Sequence, residues 1–338
     1  MSKTLLSGTL AAVLLAGLSL VAAPAARAEP ITLKLAHQWP QDEKDYVVAA
    51  AVKFASEVEK RTNGEIKITF YPAQSLAKAS NTHVALKTGT VDLAVYPYIY
   101  AAGAIPEMNL ILMPGIWKTH DDVFAFRKSE AWKKIEAKAE AYGFKTLSWI
   151  QISGGVASSG APVHGPDDVK GKKVRAAGKY MEAALHDAGA TPVSMPSSDN
   201  YNAMQLGLLD AMWTSSSSFG AFRLYEVSKA YTSPEEYSVY FTIEPIAISM
   251  KTWEKLTPAQ QKILTEVGAS LEPGSLAGAK EEDARIAKEF ADHGVKVTKM
   301  SLKEWDSWQP FFKRSHEKFK ADFPQAAPIL DMMLAGKS

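Results

Sequence analysis

Residues 169–218 read VKGKKVRAAGKYMEAALHDAGATPVSMPSSDNYNAMQLGLLDAMWTSSSS. Short apolar–polar runs predict strands at 172–176, 191–195 and 210–213. Helical spacing of apolar residues predicts helices at 179–188 and 200–208. Strands that alternate with helices pair in parallel through right-handed crossovers, so the stretch predicts an α/β fold.

Chemically useful side chains stand where these strands end. Arg175 closes the first strand, and Trp213, Thr214 and Ser215 close the third. Ser197 begins the run that caps the second helix. Ligands of such sheets bind beyond the carboxyl ends of the strands, so these five residues are candidate ligand contacts. Arg175 would supply a planar, positively charged guanidinium with fixed N–H donors. Trp213 would supply a flat apolar ring with the hydroxyls of Thr214 and Ser215 beside it.

The first part of the chain repeats the pattern. It predicts strands at 31–37, 65–71 and 91–96, with helices at 42–62 and 80–87. Two βαβαβ units, one on each side of Gln151, indicate two lobes, and a cleft between lobes is a favoured small-molecule site. Further candidate contacts follow the strands of the first unit or lie at the boundary: His37, Trp39, Tyr96, Tyr98 and Gln151.

The glycine- and serine-rich segment 151–160 is interpreted as a crossing between the lobes, because it lacks the spacing of a phosphate-binding loop. Thr257 and Pro258 predict the start of a long helix that reaches 293 with a kink at Pro273 and Gly274. The predicted division is residues 29–152 plus 241–280 for lobe I and 153–240 plus 281–338 for lobe II.

Residues 1–28 have the features of a secretory signal peptide. Lys3 is the positive region, residues 10–21 are apolar, and Ala26-Arg27-Ala28 predicts cleavage after Ala28. The alternative is a membrane anchor, but the apolar run is shorter than the roughly 20 residues that a spanning helix needs. The chain has no cysteine, and an exported protein without disulfides fits a bacterial periplasm.

Several kinds of function have no sequence support. The net charge of +1 gives no indication of nucleic-acid binding. There is no G-x-S-x-G elbow and no thiol, and the seven histidines form no metal-binding pair. We therefore expect no cofactor, no metal and no catalysis. A secreted α/β enzyme that uses Arg175 to orient an acid substrate stays open as an alternative.

An ordered set of short motifs carries a family resemblance. KGKKVRA (170–176), AGATPVSMPSSDNYNAMQLGLLDA (188–211), LKLAH (33–37) and GTVDLA (89–94) occur in the family's order and spacing. Together they resemble the periplasmic solute-binding proteins of TRAP (tripartite ATP-independent periplasmic) transporters. The resemblance covers nearly all of the chain after residue 28.

The resemblance implies a fold, a function and partners. The fold would be two-lobed, each lobe a mostly parallel sheet flanked by helices, with crossing strands and a long C-terminal helix as hinge. The protein would bind an organic acid anion by hinge closure, with Arg175 on the carboxylate, and deliver it to the membrane subunits of a TRAP transporter. Most members act as monomers. An ABC-type receptor or a sensor domain is the alternative among periplasmic binding proteins.

Two departures from the family pattern bear on the ligand. Met212, Trp213 and Thr214 stand where many members have polar amides and carboxylates, and residues 153–159 lack the second arginine of many members. We therefore predict an aromatic monocarboxylate of the cinnamate or benzoate type, stacked on Trp213 with other aromatics nearby. A 2-oxo acid or a four-carbon dicarboxylate is the alternative ligand. Core packing is the alternative role for the tyrosines and Trp149, and a core or surface position for His37.

Overall fold

The computed structural model describes residues 29–336. The predicted signal peptide, with its cleavage site, lies outside the described residues. Within the described range the strands are, in chain order, β1 (Ile31–Ala36), β2 (Ile66–Tyr71), β3 (Leu93–Val95), β4 (Phe144–Ser148), β5 (Gln151–Ser158), β6 (Lys173–Ala176), β7 (Thr191–Ser194), β8 (Ala211–Ser215), β9 (Ala230–Ser233), β10 (Tyr240–Ile243), β11 (Ile246–Ser249) and β12 (Lys296–Lys299).

Helices connect these strands and cover both sheets. In chain order, the described residues form α1 (Tyr46–Arg61), α2 (Thr82–Thr88), α3 (His120–Phe126), α4 (Glu130–Tyr142), α5 (Lys179–Asp187), α6 (Asn200–Gln205), α7 (Ser216–Ala221), α8 (Met250–Trp253), α9 (Pro258–Leu271), α10 (Ser275–Asp292), α11 (Leu302–Ser307), α12 (Gln309–Asp322) and α13 (Ala327–Ala335). Among residues 29–336, no helix is both long and apolar enough to pass through a bilayer.

The strands form two sheets, which confirms the predicted two-lobed α/β fold. The first sheet has the order β2-β1-β3-β11-β4, and we call this sheet with the helices packed on it lobe I. The second has the order β12-β9-β5-β8-β6-β7, with β10 also paired to β5, and is the centre of lobe II. Strands of the βαβ units pair in parallel, whereas β5, β10 and β11, near the crossings between the lobes, pair antiparallel with their neighbours.

The glycines of the crossing segment are required by close packing. β5 is buried along its whole length in the middle of the second sheet. A Cβ atom on Gly154 would lie 1.9 Å from the carbonyl oxygen of Thr214 and 2.7 Å from the Tyr240 ring. On Gly155 it would lie 2.3 Å from the Thr232 carbonyl oxygen. Only glycine allows the neighbouring backbone to approach this closely.

The long C-terminal helix connects both lobes, as predicted. Thr257 caps α9 with a reciprocal bond to Gln260, and Pro258 occupies the first turn. A short 3-10 turn, Glu272–Gly274, separates α9 from α10 and marks the predicted kink. α9 packs on α1 and β4 of lobe I, whereas α10 packs on α7 and β5 of lobe II.

The end of the chain packs on lobe I. The predicted division places residues 281–338 in lobe II, whereas α13 packs on α4 of lobe I. Ile329, Leu330 and Met333 enter the same apolar core as Trp132. The reason is tertiary: this apolar face covers core residues of lobe I that lie almost 200 positions earlier in the chain.

Candidate functional site

Arg175 lies at the carboxyl edge of the second sheet, where β6, β7 and β8 run in parallel. Its side chain is fully buried. Nε and Nη2 donate to the carbonyl oxygen of Met195 at 3.0 and 2.8 Å, and Nη1 donates to that of Trp213 at 2.7 Å. The two carbonyls belong to the segments after β7 and within β8, so the backbone of the sheet fixes the orientation of the guanidinium.

Among residues 29–336 no carboxylate forms an ion pair with the positive charge of Arg175. A guanidinium has five N–H donors. Three of them donate to Met195 and Trp213, and the Tyr240 hydroxyl also hydrogen-bonds to this side chain, so the donors are not all used by the protein. A buried charge needs a partner of opposite sign, because its desolvation costs several kcal/mol. The arrangement therefore suits an anion with a planar carboxylate.

Glu244 is a buried acid whose carboxyl is influenced by the charge of Arg175. It follows β10, is 2% exposed, and its backbone N–H donates to the Ile150 carbonyl at 2.8 Å. Burial raises the pKa of its carboxyl to about 8, and the charge of Asp45 adds to the rise; the Ser215 hydroxyl and Arg175 oppose it. Its Oε2 atom has no hydrogen-bond partner in the protein. At neutral pH Glu244 is therefore mainly protonated and does not neutralise Arg175.

The serine run after β8 joins the two lobes. Ser215 caps α7, and its hydroxyl donates to that of Ser218 at 3.0 Å. Ser218 donates to Ser197 at 3.1 Å and accepts from the Trp39 indole N–H of lobe I at 3.2 Å. Ser217 donates to the carboxylate of Asp45, which caps α1. The serines thus tie the start of α7 to the end of β1 and to the start of α1.

Tyr100 makes another bond between the lobes. Its hydroxyl accepts from the Ser197 backbone N–H at 3.1 Å. Beside it a cavity of about 490 Å³ opens between the lobes, lined by Ile99 and Tyr100 on one side and by Gly178 and Met195 on the other. Met195 is also the residue whose carbonyl holds Arg175. The cavity therefore reaches the wall of the arginine site.

Other buried polar side chains near the strand ends have no hydrogen-bond partner within the described part of the chain. Gln38 and Asn200 are almost fully buried, and neither amide atom of either side chain is hydrogen-bonded. The same holds for the Thr214 hydroxyl and for His37 Nδ1. Because buried polar groups normally have partners, a set at the ends of β1 and β8 and at the start of α6 fits a polar ligand.

The Trp213 ring is covered by other side chains and does not offer an open stacking surface. It is fully buried and packs edge-to-face on Trp308, with ring centroids 5.1 Å apart. Val156, Val174 and Phe312 belong to the same apolar cluster. The next residue back, Met212, enters a different cluster on the opposite face of the sheet. The Trp213 ring thus packs as a core residue does, although its buried indole N–H has no partner among residues 29–336, and its backbone carbonyl accepts from Arg175.

The predicted tyrosine contacts lie in the core of lobe I. The Tyr96 hydroxyl bonds to His83 Nδ1 at 3.1 Å, and the Tyr98 hydroxyl to Thr146 at 2.8 Å. Tyr98 stacks on Trp132, which also packs edge-to-face on Trp149. These contacts match the core-packing alternative for all three aromatics.

Gln151 and His37 are buried and partly engaged by neighbours. Gln151 accepts from the Trp149 indole at 3.2 Å and donates to the His120 carbonyl at 2.9 Å. His37 Nε2 bonds to Gln41 at 3.0 Å, and burial lowers the pKa of the imidazole. Of the two, only His37 keeps an unpartnered polar atom that a ligand could use.

Sequence reasoning missed four residues of this region: Gln38, Tyr100, Asn200 and Glu244. Glu244 carried a usable signal, because it is the only acidic residue between 237 and 253 and interrupts an apolar run. A lone acid in such a run is either exposed or kept for a function. The amides and Tyr100 carried no comparable signal, since polar residues after strands are common in loops.

A buried serine–histidine–aspartate group near the hinge does not have the geometry of a nucleophile. His120 Nε2 donates to Asp283 at 2.7 Å, and Ser153 and Ser216 each donate to the same carboxylate at 2.6 Å. In a catalytic triad the serine bonds to the histidine. Here the histidine and the two serines each bond to Asp283 instead. Among residues 29–336 no group of three or more metal-ligating side chains is present either.

The family follows from comparison with known proteins. A sequence model of the bacterial extracellular solute-binding proteins, family 7, matches residues 35–322. The chain belongs to this family. The family 7 protein is 37% identical over 291 residues to a solute-binding protein of Albidiferax ferrireducens, a match that covers 85% of this chain and 86% of the relative.

The relatives include TRAP periplasmic solute-binding proteins of known structure, which confirms the predicted family resemblance. A TRAP periplasmic solute-binding protein from Rhodoferax ferrireducens, with bound malonate, has a TM-score of 0.87 and 35% identity, covering 90% of this chain and 98% of that one. A C4-dicarboxylate-binding periplasmic protein of Rhodobacter capsulatus is 28% identical over 306 residues, 89% of this chain and 90% of the relative. The family 7 protein is thus a solute receptor and not an enzyme.

Proposed function

We propose that this protein is a periplasmic receptor that binds a short organic acid between its lobes, with one carboxylate on Arg175. The observation that carries the proposal is the fully buried guanidinium, oriented by two carbonyls and without a counterion among residues 29–336. A bound carboxylate would supply the missing charge and accept from the guanidinium where the protein leaves a donor free. The closed receptor would then deliver the acid to the membrane subunits of a TRAP transporter.

We propose a short dicarboxylate as the ligand, with a 2-oxo acid as the alternative. The relatives support a small acid, since one holds malonate and another is named for C4-dicarboxylates. The aromatic monocarboxylate predicted from Trp213 has no support among these relatives. The stacking surface on which it depended is also occupied, because Trp213 packs on Trp308. The unpartnered amides of Gln38 and Asn200 favour a ligand with several oxygens.

The ligand would act by stabilising the closed arrangement of the lobes. Residues of both lobes surround the site, and β5 and β10 lie near the two crossings between the sheets. Rotation about these crossings would open the site to solvent. A ligand shifts that equilibrium only through contacts that exist in the closed form, and an acid held by Arg175 and by lobe I would make such contacts.

The test is a thermal-shift and calorimetric screen with malonate, succinate, pyruvate, benzoate and cinnamate, after unfolding and refolding to remove co-purified ligand. A ligand at 100 times its Kd should stabilise the protein by about 2.7 kcal/mol. We expect malonate or succinate to do so, and Arg175→Met to weaken their binding by roughly 100-fold, the effect of removing one partner of a buried charge pair.

The matched control is Arg314→Met, which removes an exposed arginine paired with Asp187 and should leave binding unchanged. Stabilisation by benzoate or cinnamate alone would restore the aromatic ligand. Failure of every acid to bind, or equal binding by the Arg175 variant, would contradict the proposed function.

A further inference from the structure

We propose that Glu244, in its protonated form, is a specificity-determining residue that donates a hydrogen bond to the second oxygen-bearing group of the ligand. The inference rests on the proposed function, because it assumes that an acid occupies the site beside Arg175. It adds a second recognition point, on a different segment from Arg175. Acids with only one carboxylate would leave this donor unused.

The position of Glu244 supports the assignment. The residue directly follows β10, at the crossing into lobe I, and its backbone is fixed by the bond to the Ile150 carbonyl. Its side chain is buried and interacts with the Ser215 hydroxyl, while Oε2 has no partner. A buried carboxyl oxygen without a hydrogen-bond partner destabilises the protein. A ligand oxygen would remove that destabilising effect.

The charges that face Glu244 come from three elements. Asp45 at the start of α1 raises the pKa of Glu244, whereas Arg175 on β6 lowers it. Tyr240, at the start of β10, has its own pKa raised by burial, which outweighs the opposing charge of Arg175 and the hydrogen bond to it, so the hydroxyl stays neutral. Burial is the largest influence and brings the pKa of Glu244 to about 8. A neutral carboxyl is a donor, so it attracts a ligand carboxylate that an ionised one would repel.

Ligand affinity that depends on the proton of Glu244 should fall as the pH rises. The carboxyl holds its proton below about pH 8, far above its ordinary value of 4.5, and loses it as the pH rises through that value. If binding needs the proton, affinity is constant below pH 7 and falls toward tenfold per pH unit above pH 8. The free energy of unfolding of the ligand-free protein changes with pH in the same direction. The stabilising contribution of the protonated Glu244 is fully present below pH 4.5 and is lost by about pH 8.

The experiment measures Kd by calorimetry for malonate and for propionate, a monocarboxylate of the same chain length, between pH 6.5 and 9.5. Glu244→Gln keeps an N–H donor and cannot ionise, so we expect malonate binding that is independent of pH. Glu244→Met removes the donor, and we expect at least a tenfold loss for malonate with little change for propionate. The wild-type protein should lose malonate affinity above pH 8.

The matched control is Glu282→Gln. Glu282 is also buried, and burial raises its pKa to about 7, but both of its oxygens accept from Arg285 at 2.7 and 2.8 Å. The Glu282→Gln variant should show the same fall in malonate affinity above pH 8 as the wild-type protein. Glu244→Gln tests the proposal even if Glu244→Met fails to fold.

The outcomes separate this inference from the proposed function. A pH slope that persists in Glu244→Gln, or equal losses for malonate and propionate in Glu244→Met, would overturn the role of Glu244 while leaving Arg175 in place. Malonate affinity that rises with pH and needs an added cation would also overturn it, because the carboxylate would then act in its ionised form. If the wild-type protein binds neither acid at any pH, the proposed function itself fails.

Discussion

Arg175 and Trp213 show how differently two neighbouring positions behave on the same sheet edge. Both were candidates because they end strands. The arginine is held at the edge by the carbonyls of Met195 and Trp213, so its charge stays at the site. The tryptophan ring, in contrast, enters the apolar layer beside Trp308. The second sheet is covered on both faces, so a residue near a strand end is buried whichever way it points.

Truncation of Trp213 should therefore act on stability. We expect Trp213→Ala to lower the free energy of unfolding of the ligand-free protein by about 3–5 kcal/mol, as for other buried tryptophans. The measurement is urea denaturation followed by circular dichroism. Trp253→Ala, at a half-buried position of lobe I, should cost less. A loss below about 1 kcal/mol together with a large loss of acid binding would favour the ligand-stacking hypothesis instead.

At the scale of elements, β5 decides how the lobes are joined. It receives β8 on one edge and β9 and β10 on the other, and its two glycines allow the Thr214 and Thr232 carbonyls to come close. The glycine–serine composition correctly favoured a crossing segment over a phosphate loop. It did not predict a central, fully buried strand, because pairing partners up to 92 residues away, as Ile243 is from Gln151, supply the hydrogen bonds. β9 has no clear strand pattern and forms between β5 and β12 for the same reason.

A methyl group on Gly154 tests this close packing. We expect Gly154→Ala to destabilise the protein by at least about 1–3 kcal/mol, the usual cost of overpacking, because Cβ would overlap the Thr214 carbonyl oxygen and the Tyr240 ring. Gly160→Ala is the matched control: nothing lies within 4 Å of a Cβ there, and stability should stay equal or rise slightly. Both are measured by urea unfolding. Equal stabilities of the two variants would contradict the packing argument.

At the scale of the whole molecule, polar bonds join the lobes in addition to apolar contacts such as those of Ile99 and Leu112 with lobe II. Tyr100 to Ser197, Trp39 to Ser218 and Asp45 to Ser217 each join a residue of lobe I to one of lobe II. They lie around the arginine site, so they form only when the lobes approach. Each bond contributes about 0.5–1.5 kcal/mol to the closed form. In the proposed mechanism, a ligand would add its own contacts to these bonds and so favour the closed form.

Removal of one such bond should shorten the lifetime of the complex. We expect Tyr100→Phe to weaken acid binding by roughly 2–10-fold, since about 0.5–1.5 kcal/mol of closure is lost, mainly through a faster dissociation rate in stopped-flow experiments. Tyr98→Phe is the matched control, because its hydroxyl bonds to Thr146 within lobe I. It should lower stability and leave the dissociation rate unchanged. A larger kinetic effect in Tyr98→Phe would place Tyr98 at the ligand and contradict the closure role of Tyr100.

Spacing and capping residues along the chain were enough to predict the two βαβαβ units, the capped helix from Pro258, and Arg175 at the edge of its sheet. These features depend on residues within a few positions of one another. Long-range packing settles the rest: it buries the Tyr98 and Trp213 rings in the cores, packs α13 on lobe I, and puts Glu244 under the influence of the Arg175 charge. Burial and charge environment arise from contacts between distant segments, and local periodicity does not encode them.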